Sequence, residues 1–158
     1  AADLWPETHI LEFVSLLARH LPNAEIVLIG GEHETGLARR LETALAAPAT
    51  ARFHNLIGKT SFGQTAAVLE RCHAFLGTDS GATHIADAVG IPIVALFSSK
   101  NYPAIWQPVS TRAVVLNHPV ACGPCFKADC PIGNECMQLL SPHEVLDTLL
   151  QLIDPPRH

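Results

Sequence analysis

Gly77-Thr78-Asp79-Ser80-Gly81-Ala82-Thr83-His84-Ile85-Ala86-Asp87-Ala88-Val89-Gly90-Ile91-Pro92 decides how this chain is read. The apolar run Ala74-Phe75-Leu76 leads into it, and Ile93-Val94-Ala95-Leu96-Phe97 leaves it. Apolar run, small polar loop, helical spacing, Gly90-x-Pro92 and a second apolar run spell strand, tight loop, helix, strand. In a parallel sheet such a loop lies at the carboxyl edge, where backbone N–H groups at a helix N-terminus attract anions. The segment is therefore a candidate phosphate or diphosphate cradle. Ser80 or Asp79 suits the N-cap, leaving the next backbone N–H groups pointing out of the helix end. Gly81 lets a ligand oxygen come close to the backbone. His84 sits about one turn into the helix and is placed to donate to a phosphate oxygen. Asp79 would repel a bare phosphate, so a carboxylate here suits hydroxyl groups, and a sugar joined to a diphosphate supplies both. The competing reading is an ordinary capped helix with a surface histidine.

The 158 residues suffice for one domain with a real core. Hydrophobic residues make up 48% and charged residues 16%, which suits strands buried on both faces of an α/β domain. A net charge of −5 argues against a nucleic-acid partner, because no basic patch is available to neutralise a run of phosphates. No apolar stretch is as long as a membrane span. No charged-then-apolar leader opens the chain, and Met137 is the only methionine. The expectation is a piece of a longer protein, with part of its active site elsewhere.

Working outward, Pro6 suits a helix first turn, and Ile10, Leu11, Phe13, Val14, Leu16 and Leu17 keep helical spacing from Glu7 to His20. Glu25 to Gly31 reads as a buried strand entering a glycine turn, followed by a helix from about Thr35 to Ala46. Phe53 to Gly58 is a weaker strand. Ser61 and Gln64 form a capping-box pattern for a helix running to about Arg71. His73 to Leu76 is the next strand. Asn101 to Pro108 reads as a loop, Ala113 to Leu116 as a short strand, and about Pro142 to Ile153 as a final helix capped by Ser141. This alternation predicts an α/β fold, an open parallel sheet with helices on both faces.

Several familiar signatures fail. Gly31 and Gly36 have P-loop spacing, but Leu37 and Ala38 stand where Lys and Ser/Thr are needed. Gly58-Lys59-Thr60 has the right ending, but Phe53 replaces the first glycine. No GxGxxG follows the first strand. Around Ser80, Thr78 and Ala82 occupy the glycine positions of a nucleophile elbow. Two other loops on the same edge do carry suitable polar groups. Glu32-His33-Glu34 follows the first strand, where a carboxylate can hold ribose hydroxyls, and Lys59-Thr60-Ser61 follows the second. The plain alternative for Glu32 to Glu34 is a solvated turn.

The run from Leu76 to Phe97, matching Asp-Ser/Thr-Gly-x-x-His-x-Ala, then Gly-x-Pro, then an apolar strand, resembles the signature of glycosyltransferase family 9, the ADP-heptose:lipopolysaccharide heptosyltransferases. Leu4-Trp5-Pro6-Glu7, Gly30-Gly31-Glu32-His33-Glu34, Trp106-Gln107-Pro108 and Cys136-Met137 are similar to other stretches of that family, in the same order. The resemblance implies a GT-B enzyme of two Rossmann-like domains. Residues 1–158 would form its C-terminal, nucleotide-sugar (donor) binding domain, and the N-terminal acceptor domain would lie outside this chain. By position, Asp79, Ser80, Gly81 and His84 would face the donor's diphosphate and sugar, Glu34 the ribose and Thr60 the base. Asp79 and His84 would be the catalytic pair, holding the donor and stabilising its leaving group. The family's general base, an Asp of the other domain, has no match here.

The implied activity is transfer of a heptose or related sugar from an ADP-sugar to a lipopolysaccharide core acceptor. No metal or other cofactor is required, and the acceptor would be a lipid-linked saccharide held by the other domain. The implied place is cytoplasmic, with at most peripheral association at the inner face of the bacterial inner membrane. Two departures stand out. Many members carry Lys two residues before Trp-Pro, where this chain has Asp3, leaving the cation that assists the leaving diphosphate unassigned. The strand that usually ends Leu-Phe-Gly here ends Leu96-Phe97-Ser98. Another GT-B enzyme using a UDP- or GDP-sugar is an alternative. So is a nucleotide-binding module without catalysis, which Asp3 favours.

Cys122-x2-Cys125-x4-Cys130-x5-Cys136 holds four of the five cysteines. Four close thiols suit a structural zinc or iron clip away from the chemistry, with free thiols as the alternative and disulfides disfavoured in a reducing cytoplasm. Cys72 is expected to be a buried small apolar residue.

Overall fold

The computed structural model describes residues 2–45 and 52–154. Seven helices and five strands alternate along them: α1 Glu7–His20, β1 Glu25–Leu28, α2 Thr35–Leu45, β2 Arg52–Asn55, α3 Phe62–Leu69, β3 Phe75–Thr78, α4 Gly81–Val89, β4 Ile93–Phe97, α5 Pro103–Trp106, β5 Ala113–Asn117, α6 Glu135–Gln138 and α7 Pro142–Ile153. Ala46, the expected end of α2, lies outside the described residues, as do the ends of the span 1–158.

β4 explains the architecture. All five of its residues are buried, and strand geometry sends alternate side chains to opposite faces. Val94 and Leu96 join one core cluster with Trp5, Phe13, Leu17, Val145 and Leu146, under α1 and α7. Ile93, Ala95 and Phe97 join the other with Leu69 and Ala86, under α3 and α4. Two helical layers thus cover one sheet, as expected for an α/β fold. β4 pairs in parallel with β3 and with β5. The expectation of one continuous ladder is refined, because β1 and β2 pair in parallel as a separate two-stranded sheet.

Helix ends follow local chemistry. Ser61 Oγ accepts the Gln64 N–H at 3.4 Å while Gln64 Oε1 accepts the Ser61 N–H at 2.9 Å, completing the predicted capping box. Ser141 Oγ accepts the Glu144 N–H at 3.2 Å, and Gly90 ends α4 with φ of 76°, a conformation that suits glycine. β3 starts two residues later than expected. The expected loop from Asn101 to Pro108 contains α5, because Pro103 occupies a first-turn position where its missing N–H costs nothing. The Trp5 indole N–H donates to the Leu140 carbonyl at 2.9 Å, joining the start of α1 to the start of α7.

Candidate functional site

The candidate cradle lies where β3 hands over to α4. Thr83, only 1% exposed, turns its hydroxyl inward to donate to the Thr78 carbonyl at 2.6 Å. That bond fixes the first turn of α4 against the end of its strand. Ser80 occupies the N-cap in extended backbone geometry and makes no side-chain cap bond. Its carbonyl takes the Thr83 N–H at 3.1 Å. The earlier N–H groups of the turn, those of Gly81 and Ala82, have no partner within a helix by construction. A Cβ placed on Gly81 would meet nothing within 4 Å, so the approach to this backbone is open. His84 is exposed one turn along.

Asp79 sits half-buried immediately before this end. Burial pushes its carboxyl pKa up, the nearby Asp3 carboxylate adds to the rise, and a hydrogen bond from the Asn101 side chain, His84 and Lys100 oppose it. Asp79 and His84 therefore lie close enough to influence each other's charge. Asp3, the departure at the start of the chain, reaches the same edge. Its carboxylate accepts from Ser98 Oγ at 2.7 Å and from Lys100 Nζ at 2.8 Å. The hydrogen bond to Asp3 holds the Lys100 ammonium above the usual lysine range. Sequence reasoning missed Ser98, Lys100 and Asn101. The signal available was a run of polar residues just past β4, on the edge that carries Asp79.

Glu34 and Thr60 lie in the loops after β1 and β2, Glu34 engaged within its own loop and Thr60 with the first turn of α3. Glu34 closes a short 3₁₀ turn, Glu32–Glu34, and Oε2 accepts the Gly31 N–H at 2.8 Å. A Cβ on Gly30 would collide with that carboxylate. Thr60 Oγ1 shares a 2.9 Å hydrogen bond with Thr65 Oγ1. The Gly58 N–H donates to the Gly30 carbonyl at 3.0 Å, tying the two loops together.

The four loop thiols face one small cleft with Ser99, Lys100 and Asn134. They are free, from Cys122 at the exposed extreme to buried Cys136. The Asn134 N–H donates to Cys130 Sγ at 3.1 Å. Among the described residues no three His, Cys, Asp or Glu side chains are gathered in position to hold a metal ion. What the loop visibly does is clamp the turn after β4: the Phe126 N–H donates to the Lys100 carbonyl at 2.7 Å. Cys72 is only partly buried, a correction to its expected place in the core. Its Sγ donates to the Val68 carbonyl at 3.4 Å, and burial raises its pKa.

The model of glycosyltransferase family 9 (heptosyltransferase) matches residues 1–135. The chain belongs to this family. Among curated relatives, it is 31% identical over 157 residues to lipopolysaccharide heptosyltransferase 2 of Salmonella typhimurium, covering 96% of this chain and 43% of that protein. Among solved structures, the E. coli ADP-heptose lps heptosyltransferase II superposes with a TM-score of 0.78 at 26% identity, over 96% of this chain and 42% of the other. A family 9 glycosyl transferase from Veillonella parvula shares the fold, with a TM-score of 0.79 at 22% identity, over the same 96% and 42%. The chain thus spans less than half the length of the heptosyltransferases it matches, and the fold is that of a segment of their GT-B architecture. No helix among the described residues is long and apolar enough to cross a membrane.

Proposed function

We propose that this chain is the donor-binding domain of a glycosyltransferase that moves a heptose, or a related sugar, from an ADP-sugar to a lipopolysaccharide core acceptor. The observation that carries this is the open N-terminal end of α4, uncapped at Ser80 and flanked by the Asp79 carboxylate and the exposed His84. Few ligands suit an anion-attracting helix end beside a carboxylate. A sugar diphosphate does, with phosphate oxygens on the Gly81 and Ala82 N–H groups and sugar hydroxyls donating to Asp79. The name of the E. coli relative, which specifies ADP-heptose, supports the choice of donor.

In this reading Glu34 presents the carboxyl oxygen not taken by Gly31 to the ribose, and Thr60 lies beside the base. The acceptor hydroxyl attacks the anomeric carbon as the bond to the diphosphate breaks, and the departing oxygens gain charge. The α4 N–H dipoles and a proton on the His84 ring meet that charge where it develops. The base that activates the acceptor, and the lipid-linked saccharide itself, belong to a domain outside this chain. No metal is assigned a step. The whole protein would act in the cytoplasm, with at most peripheral contact to the inner face of the inner membrane.

Calorimetric titration of the chain with ADP, UDP, GDP and ADP-heptose tests this. ADP and ADP-heptose are expected to bind best, and Asp79→Ala and His84→Ala to weaken ADP-heptose. In the full-length enzyme, losing the His84 donor should slow turnover on the order of a hundredfold. If no nucleotide binds, or if both variants bind as tightly as the parent, the donor site is wrongly placed.

A further inference from the structure

We infer that Lys100 is the cation that meets the donor's diphosphate, held ready by Asp3. This rests on the donor-site reading above and adds to it a residue that neither the sequence signature nor the family match assigns.

A departing diphosphate is an anion of more than one charge, and backbone dipoles supply only about half an elementary charge per helix end. A full cation on the same edge would supply charge that the helix end alone does not. Several cationic side chains are committed elsewhere. Arg40 pairs with Glu7 and Arg52 with Glu25, Lys59 Nζ donates to the Asn55 carbonyl, and Arg112 donates to the Gly90 carbonyl at the far end of α4. Lys100 is the lysine that interacts electrostatically with Asp79.

Its placement is built in rather than incidental. The Lys100 N–H donates to Ser98 Oγ at 3.4 Å, its carbonyl takes the Phe126 N–H at 2.7 Å, and Nζ donates to Asp3 Oδ2 at 2.8 Å. The side chain is 29% exposed, so the ammonium is positioned without being sealed in. An ammonium has three N–H donors, and Asp3 takes one. A simple staple between the chain start and the β4 turn would not need this cation, because Ser98 already ties that turn to Asp3 at 2.7 Å. The carboxylate at position 3 thus serves a cation supplied from position 100 instead of leaving the edge without one.

The test is calorimetry of this chain with ADP and with adenosine, at low and moderate salt. Lys100→Ala should weaken ADP by about tenfold or more, the worth of a charge-assisted hydrogen bond, and leave adenosine unchanged. It should also flatten the salt dependence of ADP binding. Lys100→Arg should stay close to the parent, and Lys100→Gln, which keeps the stem and so protects folding, should behave like Lys100→Ala. ADP affinity in the Ala and Gln variants equal to the parent's overturns the inference. So does a matched loss of ADP and adenosine, which marks a merely structural role. If the parent chain binds adenosine and ADP alike, Lys100 is not a diphosphate contact. If it binds neither, the donor site itself fails first.

Discussion

α3 and α4 pack on the same face of the β3–β4–β5 sheet, and both begin at a serine. Only one of them closes its own end. At α3, Gln64 stands three residues after Ser61 and the two exchange hydrogen bonds. At α4 the equivalent position is Thr83, whose hydroxyl is spent on the Thr78 carbonyl, and Ser80 is left without a side-chain cap bond. The same residue type is structural where its partner answers and available where the partner faces inward. The contrast distinguishes a candidate ligand site from an ordinary helix start by capping alone.

Substitutions can break that contrast. The largest effect is expected at Gly81. Because a Cβ there meets nothing within 4 Å, Gly81→Leu should melt near the parent temperature yet lose ADP affinity by about tenfold or more, since the side chain would cover the N–H groups proposed to hold the diphosphate. A large drop in Tm would show instead that Gly81 is needed for folding. Next, Ser61→Ala should cost about 1 kcal/mol in denaturant unfolding, the usual worth of a cap, while Ser80→Ala costs only a few tenths. Equal costs would erase the distinction.

The smallest effect is at Asp79. Its folded-state pKa is raised, chiefly by burial, so the ionised carboxylate is the less favoured form in the fold. That penalty is absent below the ordinary aspartate range and complete above the raised value. Asp79→Asn should therefore gain stability over the parent as pH climbs through the carboxylate range, seen as a Tm difference that vanishes in acid. A Tm difference that grows in acid would reverse the sign of the coupling.

Much of this was legible in the residues. The five-residue apolar run of β4 announces burial on both faces, and the Ser141 and Pro142 pair marks the start of α7 without ambiguity. Asp79 and His84 could be nominated from the sequence because loop, helix and strand are contiguous there. Lys100 could not be nominated in that way, because its pairing with Asp3, 97 positions away, exists only in the fold. Whether Ser80 caps was also hidden, since only the fold shows the Thr83 hydroxyl turned inward to the Thr78 carbonyl and Ser80 left without a side-chain cap bond. The division into two sheets is likewise a matter of ladder geometry that apolar patterning does not encode.

At the other end of α4, Asp87 accepts the N–H groups of Val109 and Ser110 at 2.9 and 3.0 Å, and Arg112 donates to the Gly90 carbonyl at 2.9 Å. These contacts anchor the helix by its tail. Charge arriving at its head would meet dipoles that already point the right way and do not have to turn. In water most of the cost of stabilising a new anion is the reorganisation of solvent around it, and a bolted helix avoids that cost. If α4 holds the donor as proposed, loosening its tail would slow sugar transfer without altering Gly81 or Asp79.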